Sequence, residues 1–296
     1  MTRDLHQDIT ARIVARLRDG VCPWRQPWSG KGHGVMPRNA VTSRAYSGAN
    51  VVLLWSRAQE SGFADPRWLT FNQAKEASGR VRRGEKGETV VFVAKVIKDE
   101  KDGKPRAIPF LKAYAVFNVA QCDNLPAKIA DPDAAPRAVN PNTRDETADA
   151  FMSATSATIR HGEARAYYRP IDDLVNLPPF ETFINASRYY GVAFHELGHW
   201  SGSEKRLNRT FGKRFGDQAY SAEELVAELT SAFLCAEFGF DNDGADAAYI
   251  GHWIAFLSDH SHAIVTAAAA ASRAVEFMRG LALEDNDEME PLALAA

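Results

Sequence analysis

At 296 residues the chain is long enough for two domains with separate cores, and 45% apolar with 25% charged residues is ordinary soluble composition. The net charge of -3 conceals an asymmetry, because residues 1–125 carry 21 Lys+Arg against 12 Asp+Glu while 126–296 carry 14 against 26. Three cysteines, odd in number and without metal spacing, argue against a disulfide framework, and the lack of a signal peptide or an 18-residue apolar run predicts a soluble cytoplasmic protein with no membrane partner.

In chain order, residues 4–19 form an amphipathic helix with Ile9, Ile13, Val14 and Leu17 on one face, ended by Asp19-Gly20. Residues 22–28, Cys-Pro-Trp-Arg-Gln-Pro-Trp, read as a rigid aromatic loop. Helices are predicted over Asn50–Gln59, carrying Val51, Leu53, Leu54 and Trp55, and over Trp68–Ala77, capped at Thr70. Gly87–Lys98 reads as a strand, Lys101–Lys104 as a hairpin turn, and Phe110–Asn118 as the returning strand. Residues 123–146 hold four of the 14 prolines and few large apolar groups, which is linker composition. The expected division is therefore 1–125, a linker at 126–147, and 148–296. Glu163–Arg169 is short, aromatic and alternating, and Pro170 stops it, as in an edge strand that could receive an extended peptide. An ordinary packed hairpin with the turn at 172–179 fits equally well. Ala186 to Gly202 and Tyr220 to Glu237 are strong helices, the second with Ser221 as N-cap and Leu225, Leu229, Ala232 and Phe233 buried. Ala282–Ala296 reads as a frayed acidic tail. The fold class is α+β, a small N-terminal α+β domain followed by a mostly helical C-terminal domain.

The sharpest chemistry lies in His195-Glu196-Leu197-Gly198-His199. On a helix the two histidines stand one turn apart on one face, the zincin arrangement, so both imidazoles can ligate Zn²⁺ while Glu196 serves as base toward a water. Mn²⁺ or Co²⁺ can occupy similar N/O sites. The run resembles the gluzincin pattern, in which the third ligand is a Glu on the following helix and an acid four residues later orients one histidine, and here Glu224 and Glu228 stand one turn apart on the downstream helix. We read Glu224 as ligand and Glu228 as the acid that orients a histidine; spacing fixes the face but not the rotation of the helix, so the opposite assignment stays open. Glu223 reads as a solvated acid on the outer face.

The basic half joins cations that can track phosphates to flat rings that can stack bases, the requirements of a single-strand binder with little sequence preference. Trp24, Arg25 and Trp28 lie in one loop, Arg38, Asn39, Arg44 and Tyr46 in the next, and Arg80, Arg82, Arg83 and Lys86 in a glycine-bounded turn. Singly, Trp24, Trp55 and Trp68 read as core more readily than as stacking platforms. The combination carries the reading.

Four segments, Pro23–Trp28, Tyr46–Asn50, Trp68–Lys75 and Gly79–Lys86, resemble the N-terminal domain of ArdC antirestriction proteins and of conjugative TraC-type primases. The second half, with Tyr189-Tyr190 ahead of the His-Glu-Leu-Gly-His-Trp run and then Arg206-Leu-Asn-Arg209, is similar to the zincin-like metallopeptidase domain that follows it in ArdC. The resemblance covers nearly the whole chain. It implies a plasmid-carried protein that binds single-stranded DNA non-specifically and shields incoming plasmid DNA from host restriction during conjugation, with a host restriction-system protein as a further partner. It extends the DNA-contacting set to Asn50, Thr70, Gln73 and Lys75. A primase would continue into a catalytic primase module, so primase activity is not expected. Two alternatives remain at this stage: a DNA-recruited zinc protease that cuts a host protein, and a pure single-strand binder with a structural metal.

Overall fold

The computed structural model describes residues 4–25, 35–99, 105–130, 139–210, 218–241 and 247–293; for 93–99, 105–111 and 284–293 only the backbone is described. Helix α1 (Leu5–Arg18) begins at Asp4, whose carboxylate accepts the backbone N–H groups of His6 and Gln7, and its inward face is Ile9, Ile13, Val14 and Leu17. After β1 (Arg38–Asn39) comes α2 (Ala49–Ser61), with every residue from Ala49 to Ser56 buried. A helix apolar on all sides must be covered on all sides.

The segment expected as one helix over Trp68–Ala77 divides. Arg67–Thr70 is strand β2, and α3 (Phe71–Glu76) starts only at Thr70, where a capping box closes: the Thr70 hydroxyl accepts from the Gln73 N–H, and the Gln73 side chain accepts from the Thr70 N–H. The cap was legible and the strand was not, because β2 is drawn out by pairing with a segment almost 50 residues later. That partner is β5. After β3 (Arg80–Val81), β4 (Glu88–Asp99) and β5 (Pro105–Asn118) form the expected antiparallel hairpin, and its turn at 101–104 lies outside the described residues. The four-stranded sheet runs β1-β2-β5-β4. Asn50 covers part of its open edge, the side-chain amide donating to the Val91 carbonyl at 2.8 Å and accepting the Val91 N–H at 2.7 Å.

Strand β6 (Cys122–Asp123) pairs with β3 just ahead of the expected linker, and a short helix α4 (Ala127–Ala130) follows. Helix α5 (Glu146–Ala154) is capped by Asp145. A three-stranded sheet follows, β7 (Thr158–His161), β8 (Tyr167–Arg169) and β9 (Leu174–Leu177), in the order β7-β9-β8. Strand β8 is thus an edge strand, shorter than the Glu163–Arg169 expected. Helices α6 (Ala186–Ser201) and α7 (Gln218–Phe238) pack against each other, and α8 (Ala247–Asp259) and α9 (Ala263–Ala293) complete the chain. Ser221 lies buried within α7 instead of capping it, and α9 continues through most of the segment read as a tail.

Leu69, Ala74, Val119 and Ile129 form a small cluster of their own within the first 130 residues, while the main hydrophobic cluster joins the two halves. The main cluster takes in Ile9, Trp24 and Leu54 from the basic half together with Phe233, Trp253 and Met278 from the acidic half. The rings of Trp55 and Phe233 meet edge to face at 5.8 Å, and the Thr10 hydroxyl donates to the Ser261 carbonyl. No described helix is long and apolar enough to cross a membrane.

Candidate metal centre

Helix α6 is capped at Asn185, whose side chain accepts the Arg188 N–H, and it carries His195, Glu196 and His199 in its last two turns. At Gly198, between the histidines, α6 and α7 lie close together: a Cβ there would stand 3.0 Å from the Ala227 Cα. A glycine at this position lets the two backbones close up, and Glu224 then reaches the histidines from the facing helix.

His195, His199 and Glu224 come together as a trio of donors. The two Nε2 atoms are 3.2 Å apart, Glu224 Oε2 is 3.5 Å from His195 Nε2, and Glu224 Oε1 is 3.4 Å from His199 Nε2. Three ligands about 2.0–2.1 Å from one tetrahedral ion stand about 3.3–3.4 Å from one another, so the triangle has the dimensions of a divalent-ion site. The electrostatics agree. Burial opposes a charge on His199, yet hydrogen bonds to Glu223 and Glu224 push its pKa up to about 10. Burial likewise works against the Glu224 carboxylate, and its bonds to both histidines hold it well below the usual carboxylate range. The cluster is built to surround positive charge.

Behind each histidine stands a second carboxylate, itself gripped by an arginine. Glu223, expected on a solvated face, is 5% exposed; its Oε1 lies 3.3 Å from His199 Nδ1, and Arg209 donates to both its oxygens at 2.8 and 2.9 Å. Arg209 also donates to the Gly198 carbonyl and the Ser201 hydroxyl, closing the C-terminal end of α6. Glu228 Oε1 lies 3.7 Å from His195 Nδ1 and is held by Arg25 at 2.9–3.2 Å and by the Tyr249 hydroxyl at 2.8 Å. Glu228 therefore faces the side of His195 opposite the donor trio. Spacing along α7 could not distinguish these roles, since three glutamates within six residues all point near α6 and their rotation is set by packing.

Glu196 is buried beside the trio, and burial pushes its carboxyl up while His195 and His199 pull it down, with a net rise. The backbone N–H of Tyr168 bonds to it, bringing edge strand β8 alongside. Arg206 fastens that strand by donating to the Trp200 carbonyl, the Tyr168 hydroxyl and Asp173, while its guanidinium lies 3.9 Å over the Trp200 ring. A cavity of about 320 Å³ opens beside His195 and Glu196, lined also by Gly191, Ser231 and Asp241. Tyr220 was missed: burial and the neighbouring Glu224 push its hydroxyl up to about 12.

The residues expected on DNA separate into two groups. Trp24 is 1% exposed and Tyr46 and Asn50 are buried, so neither ring offers a face for a base; Arg25 is committed to Glu228. Asn39, Thr70 and Gln73 bond to one another around the α3 cap, with Arg38 half-buried nearby. Arg44, Lys75, Arg80, Arg82, Arg83 and Lys86 are exposed, Arg80 and Arg82 beside Asp123 and Arg82 also on Glu85. Trp28 lies outside the described residues. Sequence reading passed over an exposed aromatic pair on the β4–β5 hairpin, Phe92 and Tyr114, whose ring centroids are 5.6 Å apart, with the Lys112 ammonium 5.1 Å over Tyr114.

A His-Glu-x-x-His helix, a glutamate from the following helix and a small sheet with its edge strand at the site together define a zincin-like protein. Residues 146–270 match the model of a zincin-like metallopeptidase, and residues 3–117 match the N-terminal domain of anti-restriction factor ArdC. The crystal structure of antirestriction ArdC protein from plasmid R388 in its metal-free form superposes with a TM-score of 0.81 at 39% identity, covering 95% of this chain and 99% of that one; its Mn(II)-bound form gives 0.78. The uncharacterized protein y4eC of Sinorhizobium fredii is 35% identical over 93% of this chain and 91% of its own length. A DNA primase TraC of Escherichia coli is 36% identical over 97% of this chain, which spans 28% of that primase. The chain belongs to the ArdC antirestriction family.

Proposed function

We propose that this protein is an antirestriction protein that binds single-stranded DNA without sequence preference, protects incoming plasmid DNA during conjugation, and carries a metal-dependent peptide-hydrolysing centre. The observation that carries the second activity is the donor triangle with Glu196 buried at its side. His195, His199 and Glu224 would hold a divalent cation, with zinc the first expectation and Mn(II), the ion in the R388 relative, the second. Such an ion supplies Lewis acidity toward a carbonyl and brings the pKa of a water to about 7. Glu196, its carboxyl raised by burial, takes the proton of the attacking water and returns it to the leaving amine. Strand β8, outermost in its sheet and bonded through the Tyr168 N–H to Glu196, would align an extended peptide beside the donors, and Tyr220 steadies Glu224. Three donors, not four, gather among the described residues, which favours an open catalytic site over a closed structural clip.

For DNA, support comes from the exposed cations on and around residues 80–86 and from the Phe92–Tyr114 pair, which offers rings to bases beside the Lys112 charge. The shared region with a protein named DNA primase agrees with this assignment.

The test joins elemental analysis to a casein-type cleavage assay, run with and without single-stranded DNA. His195→Ala should lose the metal; Glu196→Ala should keep it and lose cleavage. Cleavage that survives Glu196→Ala would end the hydrolase reading, and plasmid protection that survives the same substitution would separate antirestriction from proteolysis. Single-strand affinity that does not weaken from low to physiological salt would rule out binding dominated by phosphate contacts.

A further inference from the structure

Arg25 belongs by sequence to the basic half, yet its guanidinium lies in the acidic half. It donates to both oxygens of Glu228, at 3.0 Å to Oε1 and at 2.9 and 3.2 Å to Oε2, and stacks 4.3 Å from the centre of the Tyr249 ring. The Tyr249 hydroxyl donates to the same carboxylate, and Trp24 Nε1 donates to that hydroxyl at 3.1 Å while its ring meets Trp253 edge to face. Consecutive residues of the N-terminal half thus grip α7 and α8 together. The gripped carboxylate is 8% exposed and faces His195 Nδ1, the ring nitrogen turned away from the donor trio.

We propose that Arg25 is a positioning residue of the metal centre: by fixing Glu228 against the Nδ1 side of His195, the N-terminal half sets the orientation of a ligand carried by the C-terminal half. A ligating imidazole needs its remote N–H directed at an acceptor, which selects the tautomer and holds the ring plane. For His199 that acceptor is Glu223, held from within the C-terminal half by Arg209. For His195 the carboxylate facing Nδ1 is Glu228, 3.7 Å away, and the side chain that holds it is separated from it by 203 residues of sequence. A bidentate guanidinium does this where an ammonium cannot, because its planar fork fixes the carboxylate plane as well as its charge. The inference rests on reading the trio as a metal centre.

The test is Zn(II) affinity of the full chain, measured by competition with a chromophoric chelator, for the parent, Arg25→Gln, Arg25→Lys, Glu228→Gln, the Arg25→Gln/Glu228→Gln double variant and Thr10→Val. Glu228→Gln should weaken Zn(II) binding about 10- to 100-fold, the usual consequence of removing an outer partner of a ligand, and Arg25→Gln, acting through Glu228, should weaken it measurably but by no more than that. Arg25→Lys should fall between it and the parent, and the double variant should be no weaker than Glu228→Gln alone. Thr10→Val removes another bond between the halves and should leave the affinity unchanged. Unchanged or tighter binding in Arg25→Gln, or losses that add in the double variant, would overturn the inference alone. A parent that binds no Zn(II) would overturn the metal reading and this inference with it. Should Arg25→Gln fail to fold, Arg25→Lys against Glu228→Gln decides, and parent-like affinity in Arg25→Lys counts against the role.

Discussion

His199 and His195 are served by the same device made from different parts of the chain. Each turns its Nδ1 to a buried glutamate of α7, and each glutamate is gripped through both oxygens by an arginine. Arg209 follows its helix by eight residues and also binds the Gly198 carbonyl and Ser201 hydroxyl, so this device forms wherever α6 and α7 form. Arg25 arrives from near the other end of the chain, and its device exists only when the two halves pack together. The local device is a property of the zincin-like domain; the distant one makes the site depend on the whole protein.

The largest effect that would sharpen this comparison is Arg209→Met. It leaves Glu223 buried without its cation and the end of α6 uncapped, and breaking such a pair costs about 3–5 kcal/mol. Denaturant unfolding of the metal-free protein measures it, and a loss below 1 kcal/mol would mean that Arg209 is not the anchor of the local device. Gly198→Ala is next. The added Cβ meets backbone of α7 at 3.0 Å and must push the helices apart, costing about 1–3 kcal/mol and weakening metal binding together with stability. Wild-type values in both measurements would show that α6 and α7 have slack between them. The smallest effect concerns the Arg206–Asp173 clasp that fastens β8. The Arg206 bonds hold the Asp173 carboxyl below its ordinary value of 3.8, so the clasp contributes fully above that pH and its contribution is lost as pH falls through the lower folded value. Since Asp173 is partly exposed, Asp173→Asn should cost about 1 kcal/mol or less at neutral pH and flatten the acid limb of the stability curve. An acid limb identical to the parent's would assign that loss of stability to other groups.

Much of the site could be read from residues alone because it is local. His195 and His199 share a face by helical periodicity, Gly202 marks the end of their helix, and a glutamate from the next helix follows from the resemblance to the gluzincin pattern. What could not be read is which way neighbouring side chains turn once the helices pack. Glu223 looked like surface and is core; Trp24 and Arg25 looked like a nucleic-acid loop and serve the interior. Trp68 to Thr70 has helix-compatible residues and becomes a strand because β5 is available to pair with it.

The chain's own order of residues therefore settled the α+β class, the motif helix and the charge asymmetry, all features decided within a few turns or by simple counting. Tertiary structure alone decided that one large hydrophobic cluster spans the two halves, that Glu228 faces the outer nitrogen of His195, and that an arginine 203 residues away holds it there. The physical reason is that a buried carboxylate takes its cation from whatever element packs against it, and packing partners distant in sequence leave no periodic trace along the chain.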